Sequence, residues 1–424
     1  MKSKYRLIAF VLALVIVNGL AFSIALVDKT NYKNALYYRF TRQRFAWIVS
    51  SPPPQHAIHA GWAKVSIDAA FSATKAAPGE SGAPDSSFAR AIVFDNGTTR
   101  AVVLSIDLLM MPPLVAAELQ KRLPKLGFDW KNVYLGATNA YPNRGGWAND
   151  YASKKSLGDY DEKLVDNLTR ATLQAISTAQ KNGAPVQIGY GKLEDAHFLK
   201  VQKQTGESAI VCSANTPQPV ADPVNLPSGR SMADVMTAQL EKGTGSFSVY
   251  MAGGIDRPAE KTNGRSGSDT ASDRNGLLAR AVPMLKRLPL RTDSVLVAQT
   301  VPLIQSDPQV RISQNWRIKP WLVKVIYGDY SADLKALRIG KTVFIGNPGA
   351  FSSELVSALQ ATPTGERNNL VITSYNGGTI GQIVPDRYYY DPKSPYDIHE
   401  MNRFGPYTGA FITEMVQNLV SSLK

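Results

Sequence analysis

The chain is poor in the residues on which most metal and covalent chemistry depends. It has one cysteine, Cys212, and four histidines in 424 residues. A single thiol excludes an internal disulfide framework and any cysteine-rich zinc site. His56 and His59 are three apart, a spacing that suits a metal on a helix, but they sit beside Pro52, Pro53 and Pro54 with no third ligand nearby. His197 and His399 stand alone and read as surface or capping residues. Acidic residues are also in the minority, with 34 Asp and Glu against 47 Lys and Arg, a formal net charge of +13. No nucleic-acid-binding motif accompanies that charge, so nucleic acid is not an expected partner. Gly340-Lys341-Thr342 is no phosphate loop, because the earlier glycine falls on Lys335. Gly264-Arg265-Ser266-Gly267-Ser268 is no nucleophile elbow, because the closing glycine is absent. Internal repeats are lacking, and the Pro triplet is the one low-complexity tract.

Apolar residues are plentiful, at 44% of the chain, enough for a sizeable core. One long run stands at the front. Leu7 to Val27 is broken only by Asn18 and Ser23 and follows Lys2, Lys4 and Arg6. About 20 apolar residues cross a bilayer as a helix, whereas the apolar region of a cleaved signal peptide is usually shorter. The run therefore reads as an uncleaved signal anchor, with a cleaved signal peptide as the alternative. The expected orientation places the N-terminus in the cytoplasm and the bulk on the extracytoplasmic side, periplasmic or extracellular. Lys29, Lys33, Arg39, Arg42 and Arg44 follow, interleaved with aromatic residues. Such a stretch, from Asn31 to Ser50, reads as a helix that either lies on the membrane surface or packs on the globular domain. The expected organisation is a short basic N-terminus (1–6), a transmembrane anchor (7–27), a basic aromatic juxtamembrane segment with a proline linker (28–58) and one large domain (59–424).

Within that domain, strands and helices alternate. Trp62 to Ile67, Ala89 to Phe94 and Arg100 to Ile106 read as strands, the last two joined through Asp95-Asn96-Gly97. Pro113 to Arg122 and Asp161 to Lys181 read as helices, the second with Leu164, Leu168, Leu173 and Ile176 near helical spacing. Val186 to Tyr190, Ile210 to Ala214, Phe247 to Ala252, Ser294 to Val301, Thr342 to Gly346 and Leu370 to Tyr375 read as strands. Between the first two of these lies a polar segment with Lys200, Lys203 and Gln204, and Trp316, Trp321 and Tyr327 mark a strand-rich middle. The expected fold class is α/β, with mixed β-sheets covered by helices and one N-terminal transmembrane helix in front.

The stretch richest in chemistry runs from Val133 to Trp147. It begins as a buried strand and ends in a loop carrying Asn139, Tyr141, Pro142, Asn143, Arg144, Gly145 and Gly146. In α/β proteins such strand ends carry the working residues. Asp107 and Asp256 each end a strand. Paired carboxylates there suit acid–base work, and capping of the next element is the other reading. Asp107, Tyr141, Arg144 and Asp256 are the catalytic candidates.

This loop resembles the metal loop of neutral ceramidases, Gly-Ala-Thr-His-Thr-His-Ser-Gly-Pro-Gly-Gly. Further stretches resemble the same family in the same order. Ala60 to Asp68 is similar to its opening strand, and Asp85 to Ala91 to its Asp-Pro-Leu-Tyr-Ala-Arg-Ala, with Arg90 in the Arg place. Ser105 to Leu108, Tyr250 to Pro258, Ile345 to Glu354, Asn376 to Gln382 and Tyr396 to Gly409 also resemble family segments. The resemblance implies the fold of a zinc amidase that cleaves ceramide to sphingosine and a fatty acid. Its metal ligands do not carry over. The two loop histidines fall on Asn139 and Tyr141, a later histidine on Asn215, a glutamate on Ala350 and a tyrosine on Thr379. These positions then define a ligand pocket with no metal and no cofactor expected.

Taken together, the sequence points to a membrane-anchored, envelope-side ceramidase-like pseudoenzyme. Its expected partners are the membrane through the N-terminal helix, a lipid ligand and an envelope protein. The alternatives are a rebuilt, metal-independent amide or ester hydrolase acting on N-acylated lipids, and a structural subunit of an envelope complex.

Overall fold

A computed structural model describes residues 5, 19, 21–48, 51–71, 87–140, 145–216, 232–255, 267–391, 393–394 and 402–423. Three four-stranded layers, two of them halves of one eight-stranded sheet, face a common core. The first is built from β2 (His59–Ser66), β3 (Phe88–Asp95), β4 (Arg100–Ile106) and β5 (Val133–Ala137), in the order β5-β4-β3-β2. The second holds β6 (Ala184–Leu193), β7 (Ala196–Lys203), β8 (Ser208–Thr216) and β9 (Phe247–Ile255) in sequence order. The two join only where His59 and Ala60 pair with Pro185 and Ala184. The third sheet has the order β10-β12-β13-β15, from Leu296–Pro302, Asp333–Ile339, Thr342–Gly346 and Leu370–Thr373. Between β10 and β12 lies the short β11 (Trp316–Ile318), and β14 (Ala350–Phe351) pairs with β16 (Gln382–Ile383).

Alternation along the strands explains the layering. In β3 and β4, Ile92, Phe94, Ala101 and Val103 face a cluster shared with Val211, Met251, Leu337 and Phe344 of the other sheets. Their neighbours Ala91, Val93, Val102 and Leu104 face outward onto Leu119, Leu164, Leu168 and Ile176. A period of two thus gives each strand two apolar faces, one for the sheets and one for covering helices. The helices are α1 (Leu36–Phe45), α2 (Pro113–Arg122), α3 (Tyr151–Leu157), α4 (Glu162–Lys181), α5 (Met232–Thr244), α6 (Gly267–Lys286), α7 (Pro320–Tyr327), α8 (Ser353–Gln360) and α9 (Thr408–Ser422). Helices α2 and α4 cover the first sheet, α5 and α6 the second, and α8 and α9 the third. Asp161 caps α4 by accepting from the Lys163 N–H at 2.9 Å, and Ser352 caps α8. Gly61 is required where α4 ends on β2: a Cβ there would stand 2.2 Å from the Ala179 carbonyl oxygen.

The fold is the expected mixed α/β, with local corrections. The polar segment before Ile210 is not a connection but strand β7. Its Lys200 is buried, with Nζ donating to the Leu285 carbonyl at 3.1 Å. Trp321 and Tyr327 lie in helix α7 rather than a strand. His197 is neither a surface nor a capping residue. It is buried on β7, with Nδ1 2.7 Å from the Tyr190 hydroxyl and Nε2 3.0 Å from the Gln360 amide.

At the front of the chain, Ile24–Leu26 form β1, paired antiparallel with β11. Among the described residues no helix is long and apolar enough to cross a membrane, and most of the expected 7–27 span lies outside them. Of the two readings of residues 31–50, the structure shows the packed one. The Tyr32 and Tyr38 hydroxyls donate to the two oxygens of Glu414 on α9, at 2.8 and 2.6 Å. Tyr37 and Phe45 pack against the same α9 cluster.

Burial, with the Lys192 charge second, pushes the His197 imidazole down to about 4; Asp195 opposes that shift. The unfolded ring titrates near 6.5. The folded state therefore refuses a proton that the unfolded state takes, so this contribution is complete above about pH 6.5 and is lost as pH falls toward 4. His197→Gln is expected to remove about 2 kcal/mol of the stability difference between pH 7 and pH 5. Denaturant unfolding at the two pH values checks it; an unchanged difference contradicts it.

Candidate functional site

β4 and β5, β8 and β9, and β13 and β15 pair in parallel, and the pairs are joined across the layers: the Ser105 hydroxyl of β4 donates to the Tyr250 carbonyl of β9 at 2.6 Å. Ser374, fully buried after β15, ties the end of β15 to β9 and to the short β14. Its hydroxyl donates to the Gly253 carbonyl at 2.7 Å and accepts from the Phe351 N–H at 3.0 Å, while its own N–H donates to the Ala252 carbonyl at 2.9 Å. The next residues continue the lacing. The Tyr375 N–H bonds the Gly349 carbonyl at 3.1 Å, the Asn376 N–H bonds the Asn347 carbonyl at 2.7 Å, and the Ala350 N–H bonds the Gly381 carbonyl at 2.9 Å. Behind them the Tyr134 hydroxyl and the Asn376 amide meet the Thr373 hydroxyl at 2.7 and 3.2 Å. Burial pushes the Tyr134 phenol well above its ordinary value, so it stays protonated at neutral pH.

Four of the positions singled out from the sequence stand at or beyond these strand ends. Asn139 follows β5 and is buried, with its backbone in the left-handed region at φ 55°. Among the described residues, neither of its carboxamide atoms has a hydrogen-bond partner. Ala350 is buried in a cluster that also contains Ala137, Ala252, Ile255 and Tyr375. The Asn215 side-chain oxygen accepts from the Gly254 N–H at 3.1 Å, which pins the end of β8 to the end of β9. Thr379 is half-buried in the loop between β15 and β16. That loop reaches β5, since a Cβ on Gly377 would stand 3.0 Å from Leu135. Tyr141, Arg144 and Asp256 lie outside the described residues, as does His399.

Asp107 is placed, and its carboxylate is engaged. Oδ2 accepts from the Phe88 N–H at 2.8 Å and from the buried Arg90 guanidinium. The guanidinium also lies over the Phe88 ring, 4.8 Å from its centre. This is a buried ion pair with hydrogen bonds, the arrangement that fixes strand ends rather than one that leaves a base free. Sequence reasoning marked both residues but not their pairing. It also missed Asn347, whose buried carboxamide is unpartnered at both atoms among the described residues, and the left-handed Tyr375 at φ 59°. The Asn347-Pro348-Gly349 turn was the available signal.

Two solved structures are similar to this arrangement of sheets and helices. One is the neutral ceramidase from Pseudomonas aeruginosa, with a TM-score of 0.65 and 15% identity over 87% of this chain and 75% of that one. The other is a ceramidase complexed with C2, with the same score, identity and coverage. The chain has a neutral-ceramidase-like fold. No protein-family model and no curated protein matches it. At this identity the likeness is one of fold alone.

A ceramidase-type zinc needs imidazole and carboxylate donors with an open position for water. The described positions of this ceramidase-like site offer two carboxamides, a methyl group and a hydroxyl. The Asn215 oxygen is already committed to Gly254, and neutral amide oxygens bind zinc weakly. No group of three His, Cys, Asp or Glu side chains that could hold a metal occurs among the described residues. These residues do not fit zinc.

Removing one member of the Arg90–Asp107 pair should be costly, because it strands a buried charge. Asp107→Ala is expected to lose ~3–5 kcal/mol of unfolding free energy, and the double change Arg90→Met with Asp107→Leu considerably less. Denaturant titration of the two variants checks the pairing. Equal losses would mean that Asp107 does not serve Arg90.

Proposed function

We propose that this protein is a membrane-anchored, extracytoplasmic binder of an N-acylated lipid, built on a ceramidase-like fold without zinc amidase chemistry. One observation carries the reading. Asn139 stands beyond the end of β5 with a buried carboxamide whose donor and acceptor find no partner among the described residues. Leaving such groups unpaired costs about 1–3 kcal/mol each, so buried ones without partners call for an explanation. A carboxamide pairs naturally with another amide, giving one hydrogen bond in each direction. The amide of an N-acyl lipid has that chemistry. Ala350, in the same buried cluster as Ala137 two residues before Asn139, adds apolar surface and no charge, which suits an acyl chain. The apolar run from Leu7 to Val27 supports the membrane location.

Asn139→Gly tests this directly. Glycine accepts the left-handed backbone without strain and removes the unpaired groups. The ligand-free variant is expected to be more stable than wild type by about 1 kcal/mol, while its affinity for a short-chain N-acyl sphingoid base falls about tenfold. Calorimetric unfolding and ligand titration in detergent measure the two. Unchanged affinity would remove Asn139 from the binding site. Turnover of the lipid by purified wild type, abolished in Asp256→Ala, would instead establish the hydrolase reading.

A further inference from the structure

One face of the domain is apolar and exposed. Phe22, Leu26, Ile312, Trp316, Trp321 and Val325 are each between 45% and 67% exposed. They form one surface because the backbone joins them. In the β1–β11 pair Leu26 lies opposite Trp316, so both point to the same side. The Ile312 N–H donates to the Trp316 carbonyl at 2.9 Å. The Trp321 indole N–H donates to the Phe22 carbonyl at 3.2 Å, and the Lys319 N–H to the Ser23 carbonyl at 2.8 Å. Trp321 and Val325 are four apart on α7 and share a helix face, while Val323 is buried.

The charges bordering this face are mostly positive. Lys29, Arg317, Lys319 and Lys324 lie on or beside it. Lys29 bonds the Asn315 amide, Arg317 bonds the carbonyls of Leu26 and Pro308, and Lys319 lies over the Phe22 ring. Lys324 is paired with Asp329, and Asp28 lies near Arg317. Tryptophan at the rim of an apolar surface, with basic side chains around it, has the composition that settles at a bilayer interface. The chain itself supplies the second argument. Phe22 to Leu26 belong to the apolar run that begins at Leu7, so whatever solvent holds that run lies against this face.

We propose that the β1–β11–α7 face is a membrane-docking surface, seating the domain on an anionic bilayer with Trp316 and Trp321 at headgroup depth. The inference rests on the membrane reading above and adds which side of the domain meets the lipid. The Tyr330 hydroxyl, just beyond α7, donates to Asp150 at 2.7 Å, which ties the α7 segment to the start of α3.

The test uses the full chain with vesicles of phosphatidylcholine containing about one-third phosphatidylglycerol, brominated near the headgroup. The bromine-quenched part of the tryptophan emission is expected to fall by about half or more when Trp316→Phe and Trp321→Phe are combined, and to stay unchanged in Trp62→Phe. Lys319→Glu is expected to weaken association with these vesicles, relative to pure phosphatidylcholine, by about fivefold. Vesicle association with quenching untouched by the double variant would overturn the docking surface and leave the anchor standing. Failure of the full chain to associate with vesicles would overturn both. A dimer dissolved by the Trp316 and Trp321 changes, without quenching, would assign the face to a second copy and overturn the lipid assignment.

Discussion

Ser374 holds the molecule's working end together. Its three hydrogen bonds connect the last residues of β9, the end of the short β14 and the end of β15, and it is fully buried. The adjoining loops add their own lacing, with the Tyr375, Asn376 and Ala350 N–H groups bonded to the Gly349, Asn347 and Gly381 carbonyls. A single hydroxyl satisfies one carbonyl and one amide that would otherwise lie buried without partners. The position of Ala350 follows from this lacing, whereas Asn215 is held by its own bond to the Gly254 N–H and Asn139 by the end of β5.

The same end contains two kinds of polar burial, and their difference bears on function. Arg90 and Asp107 are buried as a pair, with the Phe88 N–H completing the carboxylate's contacts. Asn139 and Asn347 are buried without partners among the described residues. A paired charge is self-sufficient and structural; an unpaired carboxamide beyond a strand end is open to hydrogen bonds. The proposal of an amide-bearing lipid rests on that contrast. The docking face is tied to the start of α3, since Tyr330 beyond α7 donates to Asp150.

Much of this was legible in the sequence. The hairpin from Phe88 to Ile106, the helix Pro113–Arg122 and the strand leading to Asn139 follow from local pattern, and motif order pointed to the ceramidase-like fold. The misses share a cause, which is tertiary pairing overriding local composition. Strand β7 reads as polar because its Lys200 and His197 are polar. They are tolerated inside because Leu285, Tyr190 and Gln360 answer them. Helix α7 reads as strand because Trp, Val and Ile favour strands, yet Pro320 starts a helix and Gly328 ends it. Strand β1 is invisible within the apolar run because its partner lies at Trp316–Ile318, far along the chain. The unpaired state of Asn139 could not be read from the sequence at all, since it depends on what every neighbouring strand end leaves unfilled.

We propose that the ceramidase-like fold here carries neutral polar and apolar residues in place of metal ligands. Elemental analysis of the full chain, purified in detergent and dialysed against zinc, tests it most directly. The account predicts less than about one zinc for every ten chains, because Asn139, Asn215, Ala350 and Thr379 supply no imidazole or carboxylate. Close to one zinc per chain, retained after dialysis into metal-free buffer, would contradict it.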